Sequence, residues 1–438
     1  MKILLIDATS SFLDFALRCE VAGHQVRVFM GPCKDGTRSQ VGDGLLEKVP
    51  DWKPHMRWAD FIMVSDNAKY IQQLEAYRLQ GFPIFGPNME TTAWELDRAC
   101  GQAILANAGI ATIPSHEFTS YDDAMRMVRS SMKRFVSKPS GDADKALSYV
   151  SKGPADMAYM LDYWKHSDRK RAPFILQEFI PGIEMAVGGW FGRGGFSQFF
   201  LENFEFKKLM NSDVGVNTGE MGTCMRYVTL EQSKLAEQML IPLEGELYRQ
   251  GFTGYIDVAV IIDKQGNPWP LEFTTRPGWP LFQIQQALHP EPVEWMCELL
   301  QGRDCFDPHL QTAVGVVVAI PDFPYTRLTK KEVTGFPVWG MDESNRANIH
   351  PAEMKLGEAP SEHNGKLRME KMLVSAGDYV YVASGRHELI SKAAERAYKI
   401  VKTLELPNSP MYRTDIGHRL EKQLPLLHSM GYATAWEY

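Results

Sequence analysis

Cysteine is scarce and scattered: six residues, at positions 19, 33, 100, 224, 297 and 305, with no Cys-x-x-Cys pair. That spacing excludes a disulfide framework and a cysteine-held zinc site, and leaves reduced thiols as the expectation. Positive charge is also in short supply. Lys and Arg number 47 against 54 Asp and Glu, a formal net charge of −7, so the general basic field that nucleic acid requires is missing. Apolar runs such as Ala313 to Ile320 fall far short of the roughly 20 residues of a membrane helix. Met1 to Ile6 is halted by Asp7, too soon for the apolar region of a signal peptide. A cytoplasmic protein with no membrane partner is expected. The segment after the first strand, Asp7-Ala-Thr-Ser-Ser11, contains no glycine, which excludes the close backbone approach of a standard dinucleotide site.

What the chain does have is enough apolar substance for several cores. With 44% apolar and 23% charged residues it folds by burial, and 438 residues suggest about three domains. Ile3 to Asp7, His24 to Met30, Phe61 to Ser65 and Pro83 to Phe85 read as strands separated by helix-length segments, the signature of a parallel sheet. From Phe135 the pattern changes to strands with turn-rich connections: Phe174 to Ile180, Ala186 to Phe191, Tyr255 to Ile262 and Trp269 to Phe273. The loops 192–195 and 263–267 read as hairpin turns. Beyond residue 320, strands at Glu370 to Leu373 and Tyr379 to Ala383 precede a helix at 392–404.

One acidic pair stands out. Asp257 and Glu272 lie on two strands that a hairpin would bring together, and two carboxylates facing one space are the hard oxygen ligands of a magnesium ion on nucleotide phosphates. Solvated strand acids are the plain alternative.

Further motifs give this pair a context. Phe204-Glu-Phe-Lys-Lys, Val216-Asn-Thr-Gly-Glu-Met-Gly and Leu271-Glu-Phe-Thr-Thr-Arg-Pro-Gly occur in order, with Phe85-Gly-Pro, Gln177-Glu-Phe-Ile-Pro-Gly-Ile-Glu184, Ser375-Ala-Gly-Asp, Ser384-Gly-Arg and Tyr412-Arg-Thr-Asp-Ile-Gly. This series resembles the ATP-grasp ligases, and within them the phosphoribosylamine–glycine ligase family. The resemblance implies an α/β and α+β ATP-grasp fold: an N-terminal parallel-sheet domain at 1–98, an ATP-grasp domain at 99–320 with a lid at about 116–178, and a C-terminal α+β domain at 321–438. It also implies an ATP-dependent carboxylate–amine ligase that forms an amide C–N bond through an acyl phosphate and releases ADP. The cofactors would be ATP and Mg2+, with Mn2+ as a substitute, and the partners small-molecule carboxylates and amines, in a monomer or homodimer.

Carried over residue by residue, Lys138 and Arg98 would contact ATP phosphates, with Lys145 in the lid loop. A cation at a strand end suits that task. Gln177, Glu178, Phe179 and Ile180 correspond to the hinge that reads the adenine edge, and Glu184 to the acid on the ribose hydroxyls. Asn217, Thr218 and Gly219, with Met221 and Gly222, would line the reaction centre, and Lys207 or its neighbour Lys208 would add positive charge. Arg276 would brace the transferred phosphoryl group, since a planar guanidinium complements phosphate oxygens. Asp257, Glu272 and Thr274 would hold the metal, Thr274 standing where the family has asparagine.

The departures concentrate at the substrate positions. The family's glycine-rich segment after the first strand becomes Ala8-Thr-Ser-Ser-Phe-Leu-Asp-Phe-Ala-Leu, its later G-P-E becomes Ser65-Asp-Asn, and R-F-G-D-P-E becomes Arg276-Pro-Gly-Trp-Pro-Leu. Altered substrates are therefore expected, with Trp279 either walling an acceptor pocket or packing in a core. Two alternatives stand beside this reading. One is phosphoribosylamine–glycine ligase with a diverged site. The other is a catalytically weak ATP-binding regulatory homologue, suggested by Thr274 and the glycine-poor loop Ser140-Gly-Asp-Ala-Asp-Lys-Ala. The run Lys165 to Arg171 reads as a solvated face.

Overall fold

The computed structural model describes residues 1–33, 35–139, 148–167, 173–325 and 330–438. Strands β1 (Lys2–Asp7), β2 (Gln25–Met30), β3 (Phe61–Val64) and β4 (Ile84–Phe85) form a parallel sheet in the order β2-β1-β3-β4. Its central strands are apolar throughout because both faces are covered. Ile3 and Leu5 share a core with Phe15, Ala16 and Cys19 of helix Leu13–Val21, whereas Leu4, Ile6 and Val64 share another with Ile71 and Leu74 of helix Ile71–Leu79.

A second sheet is antiparallel, made by β5 (Ser115–Phe118), β6 (Phe135–Pro139), β7 (Tyr149–Val150) and β8 (Phe174–Glu178) in the order β5-β8-β6-β7. Phe135, Phe174 and Leu176 alternate inward onto Val128 of helix Tyr121–Ser131 and Leu161 of helix Pro154–Lys165.

The largest sheet has eight antiparallel strands. In chain order the elements are β9 (Gly182–Gly192), β10 (Gly195–Glu205), a short ribbon of β11 (Lys208–Met210) and β12 (Val214–Asn217), then β13 (Gly222–Thr229), β14 (Gly254–Asp263), β15 (Pro268–Thr274), β16 (Thr312–Ala319) and β17 (Ile349–Pro351), a hairpin of β18 (Met354–His363) and β19 (Lys366–Ser375), and β20 (Tyr379–His387). The large sheet runs β15-β14-β9-β10-β13-β16-β20-β17. Both hairpins read from the sequence are present, β9–β10 and β14–β15. In the second turn Asp263 accepts the amides of Gln265 and Asn267, each at 2.9 Å. Helix Ile390–Thr403 buries Ile390, Ala393, Ala394, Ala397 and Val401, one stripe of a 3.6-residue repeat, against β16 and β20.

A buried relay ties helix Leu13–Val21, which covers the first sheet, to strands β17 and β20. His350 Nδ1 lies 2.8 Å from Asp14 Oδ2 and His350 Nε2 lies 2.8 Å from Ser384 Oγ, while Arg18 pairs with Asp14 at 2.9 Å. All six cysteines are free, and among the described residues no helix is long and apolar enough to cross a membrane.

Candidate functional site

The register of the large sheet gathers the predicted acids on one face. Asp257 of β14 stands opposite Thr274 of β15, and Ala259, two residues on, stands opposite Glu272. Because strand side chains alternate with period two, Asp257, Thr274 and Glu272 share a face. On the other side of β14, Ile261 pairs with Glu184 and Ala259 with Ala186, and Ala186 pairs in turn with Asn203 of β10. The same face therefore carries Glu184, Asn203 and Glu205. The opposite face of β10 is structural: Glu202 is sealed by Ser233 and the Trp436 indole at 2.8 Å each.

Asp257 is almost fully buried. Its Oδ2 accepts Asn203 Nδ2 at 3.0 Å and the Tyr255 hydroxyl at 3.1 Å. Burial, joined by the charge of Glu205, pushes its carboxyl up to about 7 against those two donors. Gly188, directly opposite Asp257, makes this possible, since a Cβ there would overlap the Tyr255 hydroxyl.

Lys207 bridges two acids, 3.0 Å from Glu184 Oε1 and 2.9 Å from Glu205 Oε2. Burial opposes its charge, but the two carboxylates prevail and hold the ammonium well above its usual range. Reciprocally, Lys207 holds Glu184 below the usual carboxylate range. Glu220, buried beside Glu205 and bonded by the Thr223 hydroxyl, is pushed well up by burial and by the charge of Glu205.

Lys138, on β6 of the second sheet, faces this network. Among the described residues no hydrogen bond or ion pair engages its ammonium. Burial lowers it to about 8, with Arg98 adding to the effect and Glu272 opposing it. Arg98 opens helix Arg98–Asn107 beside the Asp97 cap, where a cation meets the positive end of the helix dipole; Glu272 offsets this with a contact of 2.8 Å from Oε2 to Arg98 Nη2.

The hinge residues connect β8 to β9. The amides of Glu178 and Phe179 already donate to the carbonyls of Pro114 (3.0 Å) and Arg134 (2.9 Å), and the Arg134 guanidinium covers the Phe179 ring at 3.4 Å. Glu178 also pairs with Lys133. The Ile180 amide joins no backbone hydrogen bond among the described residues. Gln177 lies inside β8, buried between β5 and β6.

The loop from Asn217 to Gly222 folds back on Lys207. Thr218 donates to the Lys207 carbonyl through both its amide and its hydroxyl, each at 2.8 Å, and Met221 donates to the Phe206 carbonyl at 2.8 Å. Asn217 pairs with Lys208 across the ribbon, and a Cβ on Gly219 would meet nothing within 4 Å, so this position opens outward. The β11–β12 ribbon that leads into the loop is anchored from the C-terminal segment: buried Arg413 grips Asp213 at 2.7 Å and Asp415 at 2.8 Å, and Arg419 stacks over Phe206 at 4.1 Å. Arg276 is engaged elsewhere, 2.9 Å from Glu95 Oε1, while Glu95 also accepts the Thr275 amide. Lys145 and its loop lie outside the described residues. Trp279 packs against Tyr379 with ring centroids 3.9 Å apart, and among the described residues its buried Nε1 has no hydrogen-bond partner.

Sequence reasoning did not single out Asn203, Glu205, Glu220 or Tyr255. Glu205 and Glu220 lay inside the quoted motifs, and the strand alternation of Asn203 with Glu205 was the available signal for the other side of the face.

The donors fit a divalent cation and nucleotide phosphates: Asp257, Glu272 and Thr274 offer hard oxygens on one face, with Lys138 opposite.

Comparison with known proteins bears on the fold that carries these residues. Residues 97–280 match the family model of the phosphoribosylglycinamide synthetase ATP-grasp (A) domain. Phosphoribosylamine–glycine ligase of Salmonella typhimurium is 26% identical, covering 96% of this chain and 98% of the relative. That of Ralstonia nicotianae is 23% identical, covering 90% and 93%. The crystal structure of phosphoribosylamine–glycine ligase from Thermotoga maritima superposes with a TM-score of 0.70 at 19% identity, covering 95% of this chain and 100% of that one. An L-amino acid ligase from Bacillus licheniformis superposes with a TM-score of 0.55 at 14% identity, covering 93% and 98%. The expected ATP-grasp fold is borne out.

Proposed function

We propose that this ATP-grasp ligase, which resembles phosphoribosylamine–glycine ligase, joins a carboxylate to an amine at the expense of ATP, with substrates altered from those of its relatives. The observation that carries the reading is the surroundings of Lys138. The charges that act on its ammonium are Arg98, Glu272, Lys207 and Glu184, with Arg98 2.8 Å from Glu272 and Lys207 3.0 Å from Glu184, which supports a shared site for phosphate, metal and ribose.

Asp257, Glu272 and Thr274 would hold Mg2+, which when bound offsets charge on the nucleotide phosphates. Lys138 supplies a compact cation to the phosphate oxygens, its proton affinity lowered by burial and by the neighbouring Arg98. Glu184 offers oxygens to ribose hydroxyls, held ionised by Lys207. The Ile180 amide reads the adenine edge. The substrate carboxylate attacks the γ-phosphorus and the bond to the bridging oxygen breaks, leaving ADP. The amine then adds to the acyl carbon, phosphate departs with the C–O electron pair, and the amine loses a proton. The loop at Asn217, Thr218 and Gly219 lines that centre, pinned by Lys207 and the Arg413 anchor. Arg276, held by Glu95, positions the loop after β15 and reaches phosphate by exchanging that partner. The functional division follows as 1–98, 99–320 and 321–438.

A second reading, phosphoribosylamine–glycine ligase itself with a diverged site, is favoured by the near-complete coverage of the curated relatives. Calorimetric titration with ATP and Mg2+ tests the nucleotide site. Lys138→Ala should bind at least about tenfold more weakly, ~1.4 kcal/mol; undiminished affinity would remove Lys138 from it.

A further inference from the structure

In parallel sheets, ligands sit beyond the carboxyl ends of the strands, and phosphate groups there are held by the amides that open the following helix. Two such places follow β1 and β3. In this chain loop amides ahead of both helices, those of Thr9, Ser11 and Phe12 and those of Ala68 and Lys69, are occupied by its own aspartates.

Asp7, the last residue of β1, is fully buried. Its Oδ1 accepts the amides of Thr9 at 3.3 Å and Ser11 at 3.0 Å and the hydroxyl of Ser65 at 2.8 Å, and its Oδ2 accepts the Phe12 amide at 2.8 Å. Phe12 immediately precedes helix Leu13–Val21, so the carboxyl sits where an anion would lie at that helix start. After β3, Asp66 Oδ2 accepts the amides of Ala68 at 3.1 Å and Lys69 at 2.9 Å, and the Lys69 ammonium donates to the Ala8 carbonyl at 3.1 Å. The first loop packs against helix Leu281–Gln285, which follows the Arg276 segment: Gln283 Nε2 donates to the Ser11 carbonyl at 3.2 Å, and the Phe12 and Phe282 rings lie 5.5 Å apart.

We infer that the amine substrate of this chain carries no phosphate group. A phosphate monoester placed after β1 or β3 would find these loop donors engaged and the repelling carboxylate of Asp7 or Asp66 held among them. A hydroxylated or otherwise uncharged amine meets neither obstacle. This inference rests on the ligase reading and narrows it against a sugar-phosphate amine.

The test begins with protein saturated with ADP and Mg2+, so that the nucleotide phosphate sites are filled, and titrated with ribose 5-phosphate by calorimetry. Asp66→Ala, at a partly exposed loop position, and Asp7→Ser should bind the probe at least tenfold more tightly than the wild type. Wild-type binding as tight as that of Asp66→Ala would overturn the inference, and because that variant leaves the buried Asp7 in place, misfolding of Asp7→Ser does not blur the result. In parallel, ADP release is measured with paired amines, ethanolamine against phosphoethanolamine and glucosamine against glucosamine 6-phosphate. Faster release with the phosphorylated member of a pair would also overturn it. Failure of ADP and Mg2+ to bind at all counts against the ligase reading, and so is separable from either result.

Discussion

The guanidinium of Arg98 lies 2.8 Å from Glu272 Oε2, pairing a proposed phosphate ligand with a proposed metal ligand. Nucleotide and metal binding must exchange this contact for two others. Arg98→Ala should therefore weaken ATP binding about tenfold, ~1.4 kcal/mol, and Arg98→Lys should recover only part of it, because an ammonium lacks the planar fork. Calorimetry with ATP and Mg2+ checks this; equal affinities for wild type and Arg98→Ala would leave the arginine as a structural partner of Glu272 alone.

Asp257 makes the proposed metal site sensitive to pH. Burial holds its carboxyl at about 7, whereas an unfolded aspartate titrates near ~3.9. The native state keeps this proton when the unfolded state has lost it, so its contribution to stability falls as pH rises from about 4 to about 7. In chelator, melting temperature across that window should decline more steeply for wild type than for Asp257→Asn. A metal must displace the same proton, so the Mg2+ needed for turnover should rise as pH drops below about 7. Both Asp257→Asn and Glu272→Gln should abolish Mg2+-dependent turnover with the fold intact.

Gly188 and Tyr255 allow a steric check on the same carboxyl. Gly188→Ala would drive its Cβ into the Tyr255 hydroxyl and displace the bond to Asp257, a change expected to cost about 1–3 kcal/mol by overpacking. Tyr255→Phe removes only the hydrogen bond and should cost less. Chemical denaturation of both variants gives the order, and a neutral Gly188→Ala would contradict the packing.

His350 holds helix Leu13–Val21 to strands β17 and β20 through Asp14 and Ser384. Burial keeps the imidazole below its usual value near ~6.5, so the stability it contributes is present at neutral pH and declines as pH falls below about 6.5. His350→Ala should lower stability by about 2–3 kcal/mol at pH 7.5 and flatten the acid-side decline. A thermal melt series from pH 5 to pH 8 measures both.

The parallel sheet, both hairpins and the shared face of Asp257 and Glu272 were legible because each follows from local alternation and a short turn. The partners of these acids were not. Asn203 and Glu205 meet Asp257 only through the β10-β9-β14 register, a pairing between strands more than 50 residues apart that no local pattern states. The engagement of Arg276 by Glu95 depends on how helix Met89–Leu96 docks on β15. Likewise the missing glycines after β1 showed that the loop had changed, but only the folded chain shows its amides turned inward onto Asp7.

The most direct test of the ligase assignment is ADP release with Mg2+ and ATP, screened over pools of carboxylates and amines and followed by mass spectrometry of the products. Release that requires both a carboxylate and an amine, with an amide of their summed mass less water, is the expected result. ADP release that is indifferent to either substrate, or no release from any pool despite bound ATP, would contradict it.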